Sequence, residues 1–234
     1  MRLWALRGLR SRRDLTGFPR RIDLAPGMTP GRPLDGPAAT AAVCPTGALQ
    51  VEGSASRVAL DRCVHCQRCR HGEHAMRWRA DIAWSHGDGT PLPRAFHHSI
   101  HVRVLDAGDC GACLAELQQL PAPQYSLHRL GIFITPSPRD ADVLLVVGPV
   151  TRAMRQPLLD TYAAMPAPKR VVAVGACAAS GGVFGPSFAC AGGVAEVLPV
   201  DRTVPGCPPP PLAVLEALLA VMGRSLPRDG EPAP

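Results

Sequence analysis

The sequence predicts an α/β fold built on an open parallel sheet and preceded by a small α+β module. Two observations predict it. Beyond residue 97, short apolar runs recur at 100–105, 131–135, 143–147, 171–175 and 197–200, separated by connections at 113–120, 151–164 and 211–222 that can be helical. Strands covered on both faces read as continuous apolar runs of this kind. Ahead of them, two short alternating runs at 48–51 and 57–60 are joined by Gly53-Ser54-Ala55-Ser56 and read as a hairpin with cysteines on both sides.

Taken in order, residues 1–24 form a basic amphipathic segment in which Leu3, Trp4, Leu6 and Leu9 fall close to helical spacing among arginines. A helix lying on a membrane surface or on a partner has this pattern. Residues 25–40 are rich in Pro and Gly and read as a linker, 41–80 as the small module, 81–97 as a second linker, 98–223 as the α/β domain and 224–234 as a disordered tail. Ser11-Arg12-Arg13 has no apolar stretch of roughly 7 to 15 residues after it, so an export signal is not expected. No apolar run approaches the ~18 residues of a spanning helix.

The net charge of +6 does not point to nucleic acid. Seven arginines within residues 1–21, set against Asp14, account for all of it. A nucleic-acid-binding domain spreads basic side chains over a folded face instead.

Nine cysteines without a secretory signal point to metal rather than disulfides. Cys63-x2-Cys66-x2-Cys69 puts three thiolates on one loop, enough for three corners of a cubane cluster, and Cys44, followed by Pro45, supplies a fourth from beyond the hairpin. Two-cluster ferredoxins send the cysteine of a Cys-Pro pair to the other cluster in this way. Here no cysteine triplet precedes Cys44, and Glu73-His74 stands where the second Cys-Pro would fall, so the module reads as one that keeps a single 4Fe-4S cluster. Zinc is the competing occupant, with His65, His71 and His74 nearby. These histidines read as solvated loop residues, with His71 and Glu73 placed to tune a cluster from outside its ligands.

Cys110, Cys113, Cys177 and Cys207 each follow an expected strand in a glycine-bearing loop. The carboxyl ends of the strands of an open sheet share one crevice, so four distant thiolates can meet there around a second 4Fe-4S cluster. Cys190 has no matching partner and reads as a structural cysteine. A stand-alone flavodoxin-like redox protein is disfavoured, because the cysteines occupy the crevice a flavin would need.

Residues 98–222 resemble the small, cluster-binding subunit shared by complex I, where it is the 20 kDa subunit, and nickel-iron hydrogenases. The matching stretches run from Asp109 to Glu116 (DCGACLAE), from Arg129 to Ile134, from Ser137 to Asp142, from Gly148 to Thr151, from Gly175 to Ala178 and from Val204 to Pro209. The resemblance implies a flavodoxin-like sheet in which Cys110, Cys113, Cys177 and Cys207 hold the cluster proximal to a partner's active site. It also places Glu116 at an acidic position beside that cluster, suited to proton handling. Cys110-x2-Cys113, in place of adjacent cysteines, is similar to group 4 membrane-bound nickel-iron hydrogenases, including formate hydrogenlyase. Residues 1–80 resemble the separate ferredoxin-like subunit of the same complexes, reduced here to one cluster. The function so implied is electron relay between a donor or acceptor protein and a nickel-iron large subunit, with membrane-embedded subunits as further partners. The expected location is the cytoplasmic, inner face of the cell membrane. The alternative implied is an iron-sulfur subunit of a complex I-like quinone-linked or ion-translocating oxidoreductase without hydrogenase activity.

Overall fold

The structure, a computed structural model, describes residues 31–73, 75–80 and 82–226. The basic segment, the first part of the Pro/Gly stretch, His74 and the end of the tail lie outside the described residues.

Two small antiparallel sheets build the N-terminal module. In the first, β1 (Gly31–Pro33) pairs with β5 (Trp78–Ala80), which joins the start of the module to its end. In the second, β2 (Gly36–Pro37), β4 (Ala55–Val58) and β3 (Leu49–Glu52) lie side by side in that order. The expected hairpin is thus present, with β3 and β4 in register from Leu49 opposite Val58 to Glu52 opposite Ala55. Gly31–Pro33 and Gly36–Pro37, expected as linker, are instead strand. Their backbone groups find partners across the module: Leu34 N–H donates to the Arg77 carbonyl at 2.9 Å, and the buried Ser56 hydroxyl donates to the Pro37 carbonyl at 3.1 Å.

The larger domain is a parallel five-stranded sheet of β6 (Ile100–Asp106), β7 (Ile132–Ile134), β8 (Val143–Val147), β9 (Arg170–Val174) and β10 (Arg202–Val204), in the order β7-β6-β8-β9-β10. This is the flavodoxin-like order, and the direction of winding reverses between β6 and β8. Four helices follow strands: α1 (Ala112–Gln119), α2 (Arg152–Ala164), α3 (Ala176–Ser180) and α4 (Pro211–Val221). Successive side chains of a strand point to opposite faces, and both faces here are covered. Val143, Leu145 and Val147 of β8 therefore enter the core formed with α1 and α4, while Leu144 and Val146 enter the core formed with α2 and Val194. Each such side chain, once fully buried, contributes about 1.5–3 kcal/mol.

Residues 197–200 are not a strand; the edge strand is Arg202–Val204. Pro199 has no N–H for a ladder, so Leu198 is buried from a loop instead. Residues 82–97 are no free spacer. His86 and Thr203 exchange two backbone hydrogen bonds of 3.0 and 2.7 Å, which closes the β10 edge, and Leu92 N–H donates to the Val221 carbonyl at 2.8 Å. Trp84 and Leu92, each 5% exposed, lie in the core of the larger domain. The expected tail likewise begins docked, with Arg224 Nη1 donating to the Leu130 carbonyl at 2.7 Å and Leu226 buried.

Candidate functional site

The carboxyl ends of β6, β9 and β10 open on one side of the sheet, and each leads into a cysteine loop. After β6, Asp106 Oδ1 accepts from the N–H groups of Gly108 and Asp109 at 2.8 and 2.6 Å, which turns the chain sharply. Asp109 Oδ2 then accepts from Gly111 and Leu114 at 3.0 and 3.2 Å, capping the start of α1 and presenting Cys110 and Cys113 on either side of that start. The next strand end supports this loop: a Cβ on Gly148, which follows β8, would lie 2.3 Å from Asp109 N.

After β9, Gly175 adopts φ +92° and ψ 157°, and α3 carries Cys177. An added Cβ at Gly175 would stand 2.6 Å from Cys113 Sγ, so the glycine leaves the space that sulfur occupies. Gly182 does the same for Cys177 Sγ, at 2.7 Å. The loop after β10 is tied to α3 by Ala176 N–H donating to the Gly206 carbonyl at 2.7 Å, which brings Cys207 to the same place.

Cys113 is buried, Cys177 is half-buried, and Cys110 and Cys207 are exposed. Burial, then the Asp109 carboxylate and the neighbouring thiols, pushes Cys113 well above its ordinary value. Burial, then Cys207 and Cys110, pushes Cys177 up to about 11. Cys207 is raised by burial, Cys110 and Asp109. Thiols that resist ionisation because of burial, and secondarily because of one another and Asp109, form a donor set that a cationic iron core relieves.

The second site lies in the N-terminal module. Cys44, Cys63, Cys66 and Cys69 line one cavity of about 340 Å³, open mouth included, together with Trp78, Pro33 and Leu49. Burial, then Cys69, Cys44 and Cys66 against a hydrogen bond from the His65 backbone, pushes Cys63 up to about 11. Burial would also raise Cys44, but hydrogen bonds from the Thr46 hydroxyl and from the backbone of Thr46, Leu49 and Ala48 outweigh it and hold the thiol below its ordinary value. Ala48 N–H donates to Cys44 Sγ at 3.3 Å. The Trp78 indole N–H is buried and completes no hydrogen bond among the described residues, yet it lies near enough to Cys69 to oppose the rise that burial imposes on that thiol. The Trp78 indole thus faces the Cys69 sulfur without closing a hydrogen bond to it. Sulfur-directed N–H groups of this kind suit an iron-sulfur centre. Among the described residues, no three Cys, His, Asp or Glu side chains close onto a point that would hold a single metal ion.

His65, expected in solvent, is instead packed inward. Its ring stacks on Trp84, with centroids 4.6 Å apart and planes 11° from parallel. His71 and Glu73 are exposed, and Glu116 is half-buried on α1. Cys190 is buried and its Sγ accepts from Gly192 N–H at 3.4 Å. Sequence reasoning missed Ser180, whose hydroxyl donates to the Asp61 carbonyl at 2.8 Å and so links α3 to the stretch before Cys63. A single serine has no spacing that could reveal this.

Comparisons with known proteins bear on the larger domain. Residues 110–221 match the family described as the NADH ubiquinone oxidoreductase 20 kDa subunit. An uncharacterized protein of Methanocaldococcus jannaschii is 46% identical over 128 residues, which are 55% of this chain and 86% of that one. Formate hydrogenlyase subunit 7 of Escherichia coli is 40% identical over 132 residues, 56% of this chain and 52% of that one. An NADH-quinone oxidoreductase subunit of Citrifermentans bemidjiense is 44% identical over 112 residues, 48% of this chain and 65% of that one. The chain thus spans about half of the Escherichia coli protein and just under two thirds of the Citrifermentans one, and the family match begins at Cys110, past the N-terminal module. The sheet order and the cysteine loops at its strand ends agree with that match, and the chain belongs to the family of the 20 kDa subunit of NADH ubiquinone oxidoreductase.

Proposed function

We propose that this chain is the iron-sulfur electron-transfer subunit of a membrane-associated group 4 nickel-iron hydrogenase of the formate hydrogenlyase type. In this reading Cys110, Cys113, Cys177 and Cys207 hold a 4Fe-4S cluster proximal to a nickel-iron large subunit. Cys44, Cys63, Cys66 and Cys69 hold a second one, within a ferredoxin-like module fused to the small subunit. What supports it is that the loops carrying Cys110, Cys113, Cys177 and Cys207 follow three strand ends on one side of the sheet, where Gly175 and Gly182 leave room beside the Cys113 and Cys177 sulfurs. When bound, each cluster would supply a one-electron carrier. The chain's own residues ligate, exclude water through Leu117, Val174 and Val204 behind the larger site, and direct N–H groups such as that of Trp78 toward sulfur. Glu116, one helical turn beyond Cys113, is assigned a proton-handling role at the partner interface. The membrane association in this reading is peripheral, on the cytoplasmic face through membrane-embedded partners; no helix among the described residues is long and apolar enough to cross a membrane.

A second reading, a subunit of a complex I-like quinone-linked assembly, is favoured by the family match itself. Nickel content and hydrogen evolution of the intact complex separate the two: nickel with hydrogen evolution supports the first reading, and their absence with quinone reduction supports the second. Anaerobically purified chain should contain roughly eight irons with matching sulfide, and Cys44→Ser and Cys177→Ser should each remove one distinct EPR signal. Roughly four irons with zinc present would overturn the N-terminal assignment.

A further inference from the structure

We propose that Ser180, together with the stacked pair His65 and Trp84, is the positioning contact that puts the two cysteine sets in direct electronic communication within this one chain. The inference rests on the two-cluster reading above and adds the path between the sites.

Ser180 lies three residues after Cys177 on α3, and Asp61 lies two residues before Cys63. The Ser180 hydroxyl donates to the Asp61 carbonyl at 2.8 Å and also approaches the Ala176 carbonyl at 3.2 Å. From Cys63 the chain therefore reaches Cys177 through Arg62, the Asp61 peptide, one hydrogen bond and one turn of helix. A second link starts from the same loop. His65, between Cys63 and Cys66, stacks on Trp84, and Trp84 belongs to the buried core that contains Cys113, Val174 and Val204. His65 is also the only residue of the Cys63–Cys66 turn with positive φ, at +52°, and both its ring nitrogens are buried without a hydrogen-bond partner among the described residues. A left-handed non-glycine residue and two unsatisfied ring nitrogens both cost stability. What this conformation achieves is the face-to-face contact with Trp84. The first link arrives at the helix that carries Cys177 and the second enters the core that Cys113 shares, and among the described residues they need no side chain from a partner.

In each transfer, the Cys44/Cys63/Cys66/Cys69 site is oxidised by one electron and the Cys110/Cys113/Cys177/Cys207 site is reduced by one, or the reverse. No bond forms or breaks and no proton moves.

The test uses the full chain with both iron-sulfur centres, reduced by dithionite without oxygen. The wild type should show two EPR signals broadened by mutual spin interaction, and the broadening should vanish in Cys44→Ser and in Cys177→Ser. After a pulse of reductant, Ser180→Ala should slow electron exchange between the sites several-fold with iron content and both midpoint potentials unchanged. Ser180→Thr, which keeps the hydroxyl, should restore the rate, and Trp84→Phe, which keeps an aromatic face, should slow it less than Trp84→Leu. Two intact signals without interaction in the wild type, or a Ser180→Ala rate equal to wild type, would overturn the proposal and leave the two-cluster reading standing. Loss of a signal from the wild type itself would overturn both.

Discussion

At Gly175 the backbone sits at φ +92°, and the space beside its Cα belongs to the Cys113 sulfur. A Gly175→Ala chain must therefore hold an alanine at positive φ and displace the Cys113 sulfur at the same time. The backbone alone costs about 1–3 kcal/mol. Iron analysis and EPR of Gly175→Ala should show loss of the larger domain's signal with the N-terminal signal intact; retention of both would mean that Cys113 is not confined as described. The placing of eight cysteines in two groups was legible in the sequence: four of them line one cavity, and the other four stand in loops at the ends of β6, β9 and β10. His65 was not legible. A histidine between two cysteines reads as a loop residue, and only the fold brings Trp84 against its ring.

Among the elements, β8 and β9 could be read directly, since strands buried on both faces have little choice but Val, Ile and Leu, and β6 and β7 showed through their apolar runs although Phe133 and Ile134 of the edge strand β7 are exposed. The fifth strand could not. Arg202-Thr203-Val204 is short and half polar because it stands at the sheet edge, where His86 rather than a hydrophobic layer completes its pairing. The strands within 31–37 were hidden for a similar reason, since prolines and glycines join a sheet only where distant partners supply the hydrogen bonds. Helix α1 makes its own prediction. Its first turn is capped by Asp109, outside the helix, through Gly111 and Leu114. Asp109→Ala should cost on the order of 1 kcal/mol, as other lost caps do, and the thermal midpoint of the iron-free chain measures this. The same variant should lose iron from the larger site faster than wild type under a chelator. Equal release rates would show that the cap does not hold Cys110 and Cys113 in place.

At the scale of the whole molecule, the two modules are joined by more than the peptide chain. His86 Nε2 lies 3.2 Å from the Asp61 carboxylate, across the boundary between them. That hydrogen bond raises the His86 pKa above its ordinary 6.5, with burial and the Arg202 charge opposing. The sign follows: the stabilisation is fully present below about pH 6.5 and fades as pH rises through the raised value. Both side chains are part-exposed, so solvent holds the effect to less than about 1 kcal/mol. Stability measured from pH 5.5 to 8.5 should decline slightly in the wild type, and the decline should flatten in His86→Gln; an unchanged slope would remove this pair from the account. The boundary was the least legible feature of the chain, because a Pro/Gly-rich stretch looks the same in sequence whether it swings free or lies along a sheet. Since Trp84 and Leu92 sit within the larger domain's interior, the segment that carries them is architecturally part of that domain. Anyone dividing this polypeptide into two separately produced halves should therefore cut upstream of Ile82; a cut after His97 would leave one half with an uncovered greasy seam and the other with a tryptophan that has lost its home.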